Sequence, residues 1–70
     1  MKTLQTLVNA NPDKIDEVWF EDDSGYWLYL KPEWFNADLE TGFYHEPTAT
    51  AVVKAWRNAP PVWRATYAIN

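Results

Sequence analysis

Two short aromatic runs joined by turn-forming residues constrain the fold of this chain more than any other feature. The runs DEVWFED and GYWLYLK span residues 16–22 and 25–31, and they meet at the tripeptide DSG. Aromatic and β-branched residues favour strands, and Gly25 supplies the positive φ that a tight turn commonly requires. The sequence therefore predicts an antiparallel hairpin at about residues 17–31.

Alternation along the hairpin predicts two unlike faces. Successive strand residues point to opposite sides of a sheet, so each strand divides into two sets of side chains. One set is typical of a core, and the other mixes aromatic rings with charged groups. The first set comprises Val18, Phe20, Tyr26, Leu28 and Leu30, and the second comprises Glu17, Trp19, Glu21, Trp27, Tyr29 and Lys31.

A helix is predicted within EPTATAVVKAWRNAPP, residues 46–61. Its apolar residues recur at the i, i+3, i+4, i+7 spacing of one helical face. Pro47 fits the first helical position with Glu46 or Thr48 near the cap, and Pro60 stops the helix. The predicted apolar stripe consists of Ala49, Val52, Val53 and Trp56.

Two further segments are candidate strands. FYHE, residues 43–46, is short and aromatic, and VWRATYAI, residues 62–69, alternates as a closing strand would. The closing strand would place Trp63, Ala65, Tyr67 and Ile69 on one side. Together these elements predict an α+β fold in which a small antiparallel β-sheet, the hairpin plus one or two further strands, packs on one α-helix.

The remaining segments are less regular. PEWFNADLETG, residues 32–42, is predicted to be a long connection with a turn at Asn36 to Asp38. Residues 1–14 leave alternatives open, because TLQTLV suits either a strand or a helical turn and NPDK suits the start of a short helix capped by Asn11. Residues 1–70 are expected to form a single domain, whose core must come largely from aromatic side chains.

The charges are segregated along the chain. All ten acidic residues lie at residues 13–46, where Lys14 and Lys31 are the only basic residues, so this segment has a net charge of −8. Residues 47–70 hold no acid and have a net charge of +3, from Lys54, Arg57 and Arg64. A surface whose charges share one sign influences which partners bind and how fast they associate, and says little about the fold. Nucleic acid and anionic membranes are therefore not expected as direct ligands.

Enzymatic and metal-binding functions lack the residues they need. The chain has no cysteine, one histidine and one serine, so a nucleophile with its base has almost no candidates. EDDSG superficially matches an acidic calcium loop, but Lys31 stands where the EF-hand pattern requires a carboxylate after Gly25. His45 fits a partly buried histidine that donates to a backbone carbonyl. We expect a non-enzymatic protein without metal or cofactor.

No apolar run approaches the ~20 residues of a membrane span, and the first residues lack the apolar stretch of a secretory signal. We therefore expect a soluble cytoplasmic protein.

The acidic residues and the aromatic residues among them form the candidate binding site. Trp and Tyr dominate protein–protein hot spots, and neighbouring charges steer encounter. Carboxylates bond Lys and Arg with geometry similar to that of phosphates, so a strand-face row of Glu17, Glu21 and Asp23 can occupy basic groups that otherwise hold DNA phosphates, although it cannot reproduce a duplex. We predict that the chain, as a monomer, contacts a basic nucleic-acid-binding protein through Asp16, Glu17, Glu21, Asp22, Asp23, Glu33, Asp38 and Glu40, with Trp27, Tyr29 and Trp34 as anchors.

GYWLYLKPEWFN, followed by ETGFYHEPT and a single helix, resembles small acidic phage-encoded inhibitors of CRISPR defence, the anti-CRISPR proteins. The resemblance covers about residues 25–50. It implies a stoichiometric blocker of an RNA-guided surveillance complex, such as a type I complex whose large subunit reads the PAM, the short motif flanking the target, through basic residues. The basic residues Lys54, Arg57 and Arg64 depart from a uniformly acidic mimic and favour one working face.

Other accounts fit the same residues. A carbohydrate or small-ligand binding module would stack exposed rings on its ligand and bond polar groups through carboxylates, with little dependence on salt. An interaction subunit of an obligate complex would bury its aromatic face against another chain. A fourth account needs no partner, because carboxylates also solubilise an aromatic-rich chain and protect edge strands from pairing.

Overall fold

The computed structural model describes residues 4–69, and the side chains of residues 4–66. It has the expected α+β class, with three helices and five strands in the described residues. In chain order the elements are α1 (Leu4–Ala10), β1 (Ile15–Glu21), β2 (Gly25–Leu30), β3 (Trp34–Phe35), β4 (Phe43–Glu46), α2 (Ala49–Asn58), β5 (Val62–Trp63) and α3 (Arg64–Ile69).

The predicted hairpin is confirmed as β1 and β2, which form an antiparallel sheet in the order β1-β2-β4. Val18 pairs with Leu28 and Trp19 with Trp27, and a register shift between Ile15 and Glu17 marks a bulge. FYHE is confirmed as the third strand, because β4 pairs with β2 over Tyr26 to Tyr29.

The hairpin turn depends on Gly25. The Ser24 amide donates to the Glu21 carbonyl at 3.2 Å, and Gly25 follows with a φ of +96°. A Cβ on Gly25 would lie 2.5 Å from the Glu46 carbonyl oxygen. Both the backbone conformation and the close approach of β4 therefore require glycine at this position.

The core lies between one face of the sheet and the helices α1 and α2. It consists of Leu4, Ile15, Leu28, Leu30, Tyr44, Val52 and Trp56. Fully burying a side chain such as Leu28 or Val52 contributes about 1.5–3 kcal/mol. The predicted α2 stripe is confirmed, since Val52 and Trp56 are buried and Ala49 and Val53 pack against the core. Phe20 was expected in the core set, but it is 54% exposed and packs on Tyr26 at 4.7 Å between ring centroids.

Helix α2 begins at Ala49, two residues later than a first helical position at Pro47 would place it. Thr48 is the N-cap, and its hydroxyl oxygen accepts from the Ala51 amide at 3.1 Å. Pro47 precedes this N-cap, so the prediction that Pro47 occupies the first helical position is wrong. Of the two predicted capping residues, Glu46 and Thr48, Thr48 is confirmed.

The predicted closing strand at residues 62–69 is wrong beyond Trp63. Among the described residues, strand β5 pairs only with β3, and continuing this antiparallel register past Trp63 would place Ala65 opposite Pro32, which has no amide to donate to a ladder. The chain continues instead as the helix α3, whose Ala65 favours helix. The side chains of Tyr67 and Ile69, which this prediction included, lie outside the described residues.

At the other end of the chain, TLQTLV is helical in its described part, since α1 begins at Leu4. NPDK does not start a helix. Asn11 instead follows α1, where its side-chain amide donates to the Leu7 carbonyl at 2.9 Å, and the Lys14 amide closes a turn onto the Asn11 carbonyl at 3.1 Å. Within residues 4–69 no helix is long and apolar enough to cross a membrane.

Candidate binding surface on the outer face of the sheet

The three-stranded sheet has an outer face opposite the helices. Strand register places Glu17 beside Tyr29 and Trp19 beside Trp27. It also places Trp27 beside His45 and Tyr29 beside Phe43. We define the outer face as Glu17, Trp19, Glu21, Trp27, Tyr29, Phe43 and His45. The predicted grouping of Trp27 and Tyr29 with Glu17 and Glu21 is therefore present in the structure.

The rings of the outer face support one another. Trp27 stacks on His45 with 3.7 Å between ring centroids and 12° between planes. Phe43 packs on Trp27 at 5.5 Å, and Tyr29 lies parallel to Trp27 at 6.4 Å. Such contacts hold the rings in place before any partner arrives, which lowers the entropy lost on binding.

Trp19 is the most accessible ring of the outer face, at 55% exposure. A shallow depression of ≈ 240 Å³ is lined by Trp19, Glu21, Trp27 and Tyr29. Aromatic surface and a carboxylate thus meet at one concave position, where an arginine or lysine side chain of a partner could contact both.

His45 ties strand β4 to the hairpin turn. Its Nε2 donates to the Ser24 carbonyl at 2.7 Å, which confirms the expected donation to a backbone carbonyl. Sequence reasoning did not assign Phe43 and His45 to the aromatic face. The signal was present, because alternation in FYHE places these two residues opposite the buried Tyr44.

Six of the predicted acidic contacts belong to two separate segments of the chain, the hairpin tip and the connection at residues 31–42. Strand β2 is six residues long, or about 20 Å, and separates the hairpin tip from the connection at residues 31–42. We define the tip cluster as Glu21, Asp22 and Asp23, and the far cluster as Glu33, Asp38 and Glu40.

The expected strand-face row of Glu17, Glu21 and Asp23 is not formed. Strand β1 ends at Glu21, and Asp23 belongs to the turn. The Ser24 hydroxyl donates to Glu21 Oε1 at 2.9 Å, so this carboxylate is held beside the turn.

Few of these carboxylates are neutralised. In the described part of the chain the ion pairs join Lys14 to Asp13 at 3.4 Å and Lys31 to Asp16 at 4.0 Å. The carboxylates of the outer face and of both clusters therefore lack a cationic partner among the described residues, and the negative charge of the tip is uncompensated.

Trp34 lies in the second sheet, the antiparallel pair of β3 and β5, and not on the outer face. Its ring packs edge-to-face on Trp63 at 5.3 Å, and Lys14 Nζ lies 4.7 Å from its centroid. Arg64, part of the basic segment, donates to the Pro32 carbonyl at 3.0 Å. Both residues hold the second sheet together, so Trp34 does not join the other predicted anchors.

Among residues 4–69, no group of three or more histidine, aspartate or glutamate side chains is placed to hold a metal ion. Comparison with models of known protein families, with curated proteins and with solved structures finds no match to this chain.

Proposed function

We propose that this protein is a non-enzymatic acidic inhibitor that binds a basic, DNA-facing surface of a partner protein. The observation that supports the proposal is the packed aromatic layer of the outer face beside the tip cluster, whose carboxylates have no cationic partner in the described part of the chain. The binding surface is the outer face together with Asp22 and Asp23. Asp16 borders it on β1, whereas the far cluster and Trp34 lie outside it.

The aromatic rings and the carboxylates of this surface would contribute to binding in different ways. Trp19 and Trp27 offer large apolar area, which dominates binding free energy at interfaces. Unpaired carboxylates steer a basic partner and bond the same guanidinium and ammonium groups that otherwise hold phosphates. DNA and this protein would then compete for one surface.

A partner of this chemistry is the PAM-reading large subunit of a type I CRISPR surveillance complex, as the resemblance at residues 25–50 implies. Binding would place the protein in the cytoplasm of the host cell, as a monomer without a cofactor.

The test is affinity capture from a lysate of the host cell, followed by elution with a short DNA duplex or with high salt. We expect a captured protein that both treatments release. A captured protein that stays bound in excess duplex DNA would contradict the proposal.

Two matched charge reversals locate the surface. Glu21→Lys, Asp22→Lys and Asp23→Lys reverse the tip cluster, and Glu33→Lys, Asp38→Lys and Glu40→Lys reverse the far cluster. Each set replaces three negative charges by three positive ones and so changes the net charge of the chain by the same amount, from −4 to +2. We expect the first variant to lose the partner and the second to keep it, with both folded by circular dichroism. Equal losses would show that net charge alone governs capture.

A second candidate function is carbohydrate binding, favoured by the depression beside Trp19 and Glu21. However, His45 already covers one face of Trp27, which removes that face from stacking on a sugar. Glycan-array binding that persists in high salt would favour this candidate over the inhibitor.

A further inference from the structure

Within residues 4–69, strand β1 is an open edge of the three-stranded sheet, since the order is β1-β2-β4. The Leu30 amide donates to the Gly42 carbonyl at 2.8 Å, so the backbone groups of Leu30 point towards β4. Alternation then directs those of Trp27 and Tyr29 towards β1. The backbone groups of their pairing partners, Trp19 and Glu17, therefore form hydrogen bonds with β2. The amide and carbonyl groups of Val18 and Phe20 consequently face the open edge.

A mainly apolar cleft runs along the inner side of this edge. Its volume is ≈ 650 Å³, and its apolar lining includes Leu4, Val8, Ile15, Val18, Tyr26 and Ala49. Gln5, Asn9, Asp16 and Glu17 contribute polar lining. Val18 and Phe20 point their side chains to this inner side. Residues of an added strand placed opposite them would direct their own side chains towards the cleft.

The outer side of the same edge is acidic. Glu17 and Glu21 flank the exposed Trp19, and neither carboxylate has a cationic partner among the described residues. An added strand would therefore face apolar surface with one set of alternate side chains and carboxylates with the other.

We propose that the open edge of β1 accepts an extended basic segment of a partner chain as an additional antiparallel strand. Apolar residues of the segment enter the cleft, and the alternate arginine or lysine residues meet Glu17 and Glu21. Backbone hydrogen bonds to Val18 and Phe20 supply affinity, and the alternate side chains supply specificity.

The acidic residues of β1 determine which occupant fits. A second copy of the chain would bring the carboxylates of Asp16, Glu17 and Glu21 against the same three, and like charges across paired strands are destabilising. A basic segment reverses that repulsion. The inference goes beyond the proposed function, because it requires one extended segment and no DNA-binding surface.

The probe is an acetylated peptide of alternating arginine and valine, with a peptide of the same composition in two blocks as its control. We expect the alternating peptide to bind more tightly by fluorescence anisotropy and to slow hydrogen exchange of the Val18 and Phe20 amides. Equal affinity for the two peptides, or protection absent from both amides, would overturn the proposal. Dimerisation of the free chain through β1 would overturn it as well, because a second copy would then be the occupant.

Two substitutions of Phe20 distinguish the contribution of its ring from that of its backbone amide. Phe20→Ala removes the ring and keeps the amide, whereas Phe20→Pro also removes the amide that faces the open edge, a position that tolerates proline. We expect Phe20→Pro to bind about tenfold more weakly than Phe20→Ala, which corresponds to the loss of about one net hydrogen bond. Equal affinity of the two folded variants would contradict strand addition.

Modified peptides test the same point on the unaltered protein, whether or not Phe20→Pro folds. N-methylation of the valines blocks the amides that would face β1, and N-methylation of the arginines leaves them intact. We expect only the first change to abolish binding. Binding that survives valine methylation would overturn the proposal and leave the proposed function unaffected.

Discussion

The Tyr44 hydroxyl donates to the Ala59 carbonyl oxygen at 2.6 Å and thereby joins strand β4 to the end of helix α2. Tyr44 is 1% exposed, and its ring packs on Trp56 at 5.6 Å between centroids. Carbonyl groups at a helix C-terminus have no partner within the helix, so a buried hydroxyl there satisfies one of them. This contact fixes α2 against the sheet that carries the outer face.

Tyr44→Phe should therefore lower the free energy of unfolding by about 1 kcal/mol, because one net hydrogen bond is lost and the ring is kept. Urea denaturation followed by circular dichroism measures the change. The control is Tyr29→Phe, since no hydrogen bond involves the Tyr29 hydroxyl in the described residues, and it should leave stability unchanged. An equal effect of the two substitutions would contradict the assigned role of the Tyr44 hydroxyl.

The same tyrosine should make the protein sensitive to alkali. Burial, with a further contribution from the negative charge of Asp38, raises the pKa of Tyr44 well above its ordinary value of 10.0. The native state then keeps a proton that the unfolded chain releases. The stability associated with the neutral hydroxyl is thus complete below pH 10.0 and decreases as the pH rises above it.

Denaturation of wild type and Tyr44→Phe at about pH 8 and about pH 11 tests this linkage. We expect the stability advantage of the wild type to shrink at the higher pH, because Phe has no proton to lose. Every other ionisable side chain is the same in the two proteins, so its contribution cancels in the comparison. A constant difference across this range would show that the Tyr44 pKa is not raised.

Local patterns predicted the hairpin and α2, and long-range contacts decided the rest of the fold. Alternation around Gly25 and the spacing of Val52 and Trp56 are encoded within short windows. Strand β5 and helix α3 depend instead on Arg64, whose side chain bonds the Pro32 carbonyl across 32 positions of sequence. No window around residue 64 contains that information, so alternation alone suggested a strand.

Asn36 is a second residue whose role sequence did not reveal. A turn was predicted there, but Asn36 is 1% exposed and organises the whole connection. Its side-chain amide donates to the Phe43 carbonyl at 3.2 Å, and its Oδ1 accepts from the Asp38 and Leu39 amides at 3.1 and 3.4 Å.

Asn36→Ala should accordingly destabilise the protein by about 2–3 kcal/mol, since it leaves several partly buried backbone groups without their partner. The exposed neighbour Leu39 provides the control, because Leu39→Ala keeps its backbone amide and should cost less than about 0.5 kcal/mol. Thermal denaturation of both variants measures the difference. Similar melting temperatures would mean that water replaces the Asn36 side chain.

Arg64→Lys should destabilise the second sheet although it conserves charge. The guanidinium donates to the Pro32 carbonyl at 3.0 Å and to the Trp34 carbonyl at 3.4 Å, and it lies 4.7 Å from the Phe35 ring centroid. An ammonium group cannot reproduce this planar geometry, and the expected loss is about 1 kcal/mol. Arg57→Lys is the matched control on the exposed side of α2, with no expected change. An equal loss in both variants would contradict the structural role of Arg64.

The candidate site was predictable only in part, because some of its residues are grouped by local strand alternation and others are placed by long-range contacts. Strand alternation grouped Trp27 and Tyr29 with Glu17 and Glu21, and register preserved that grouping. Acidic residues that are close in sequence nevertheless lie apart in the structure, because β2 runs from the hairpin tip to the opposite end of the sheet. The far cluster and Trp34 were therefore included in a surface to which the fold does not bring them.

Substitution of the exposed tryptophans Trp19 and Trp63 should affect two different properties, partner binding and stability. They are 55% and 45% exposed, but Trp19 borders the outer-face depression and Trp63 packs on Trp34. If the outer face is the binding surface, Trp19→Ala should weaken capture of the DNA-releasable partner about thirtyfold, as loss of a hot-spot residue does. Trp63→Ala should leave capture intact and lower stability by about 1 kcal/mol through the lost aromatic pair. Measuring both properties on both variants tests the assignment, and a loss of capture in Trp63→Ala with retention in Trp19→Ala would place the binding surface on the second sheet.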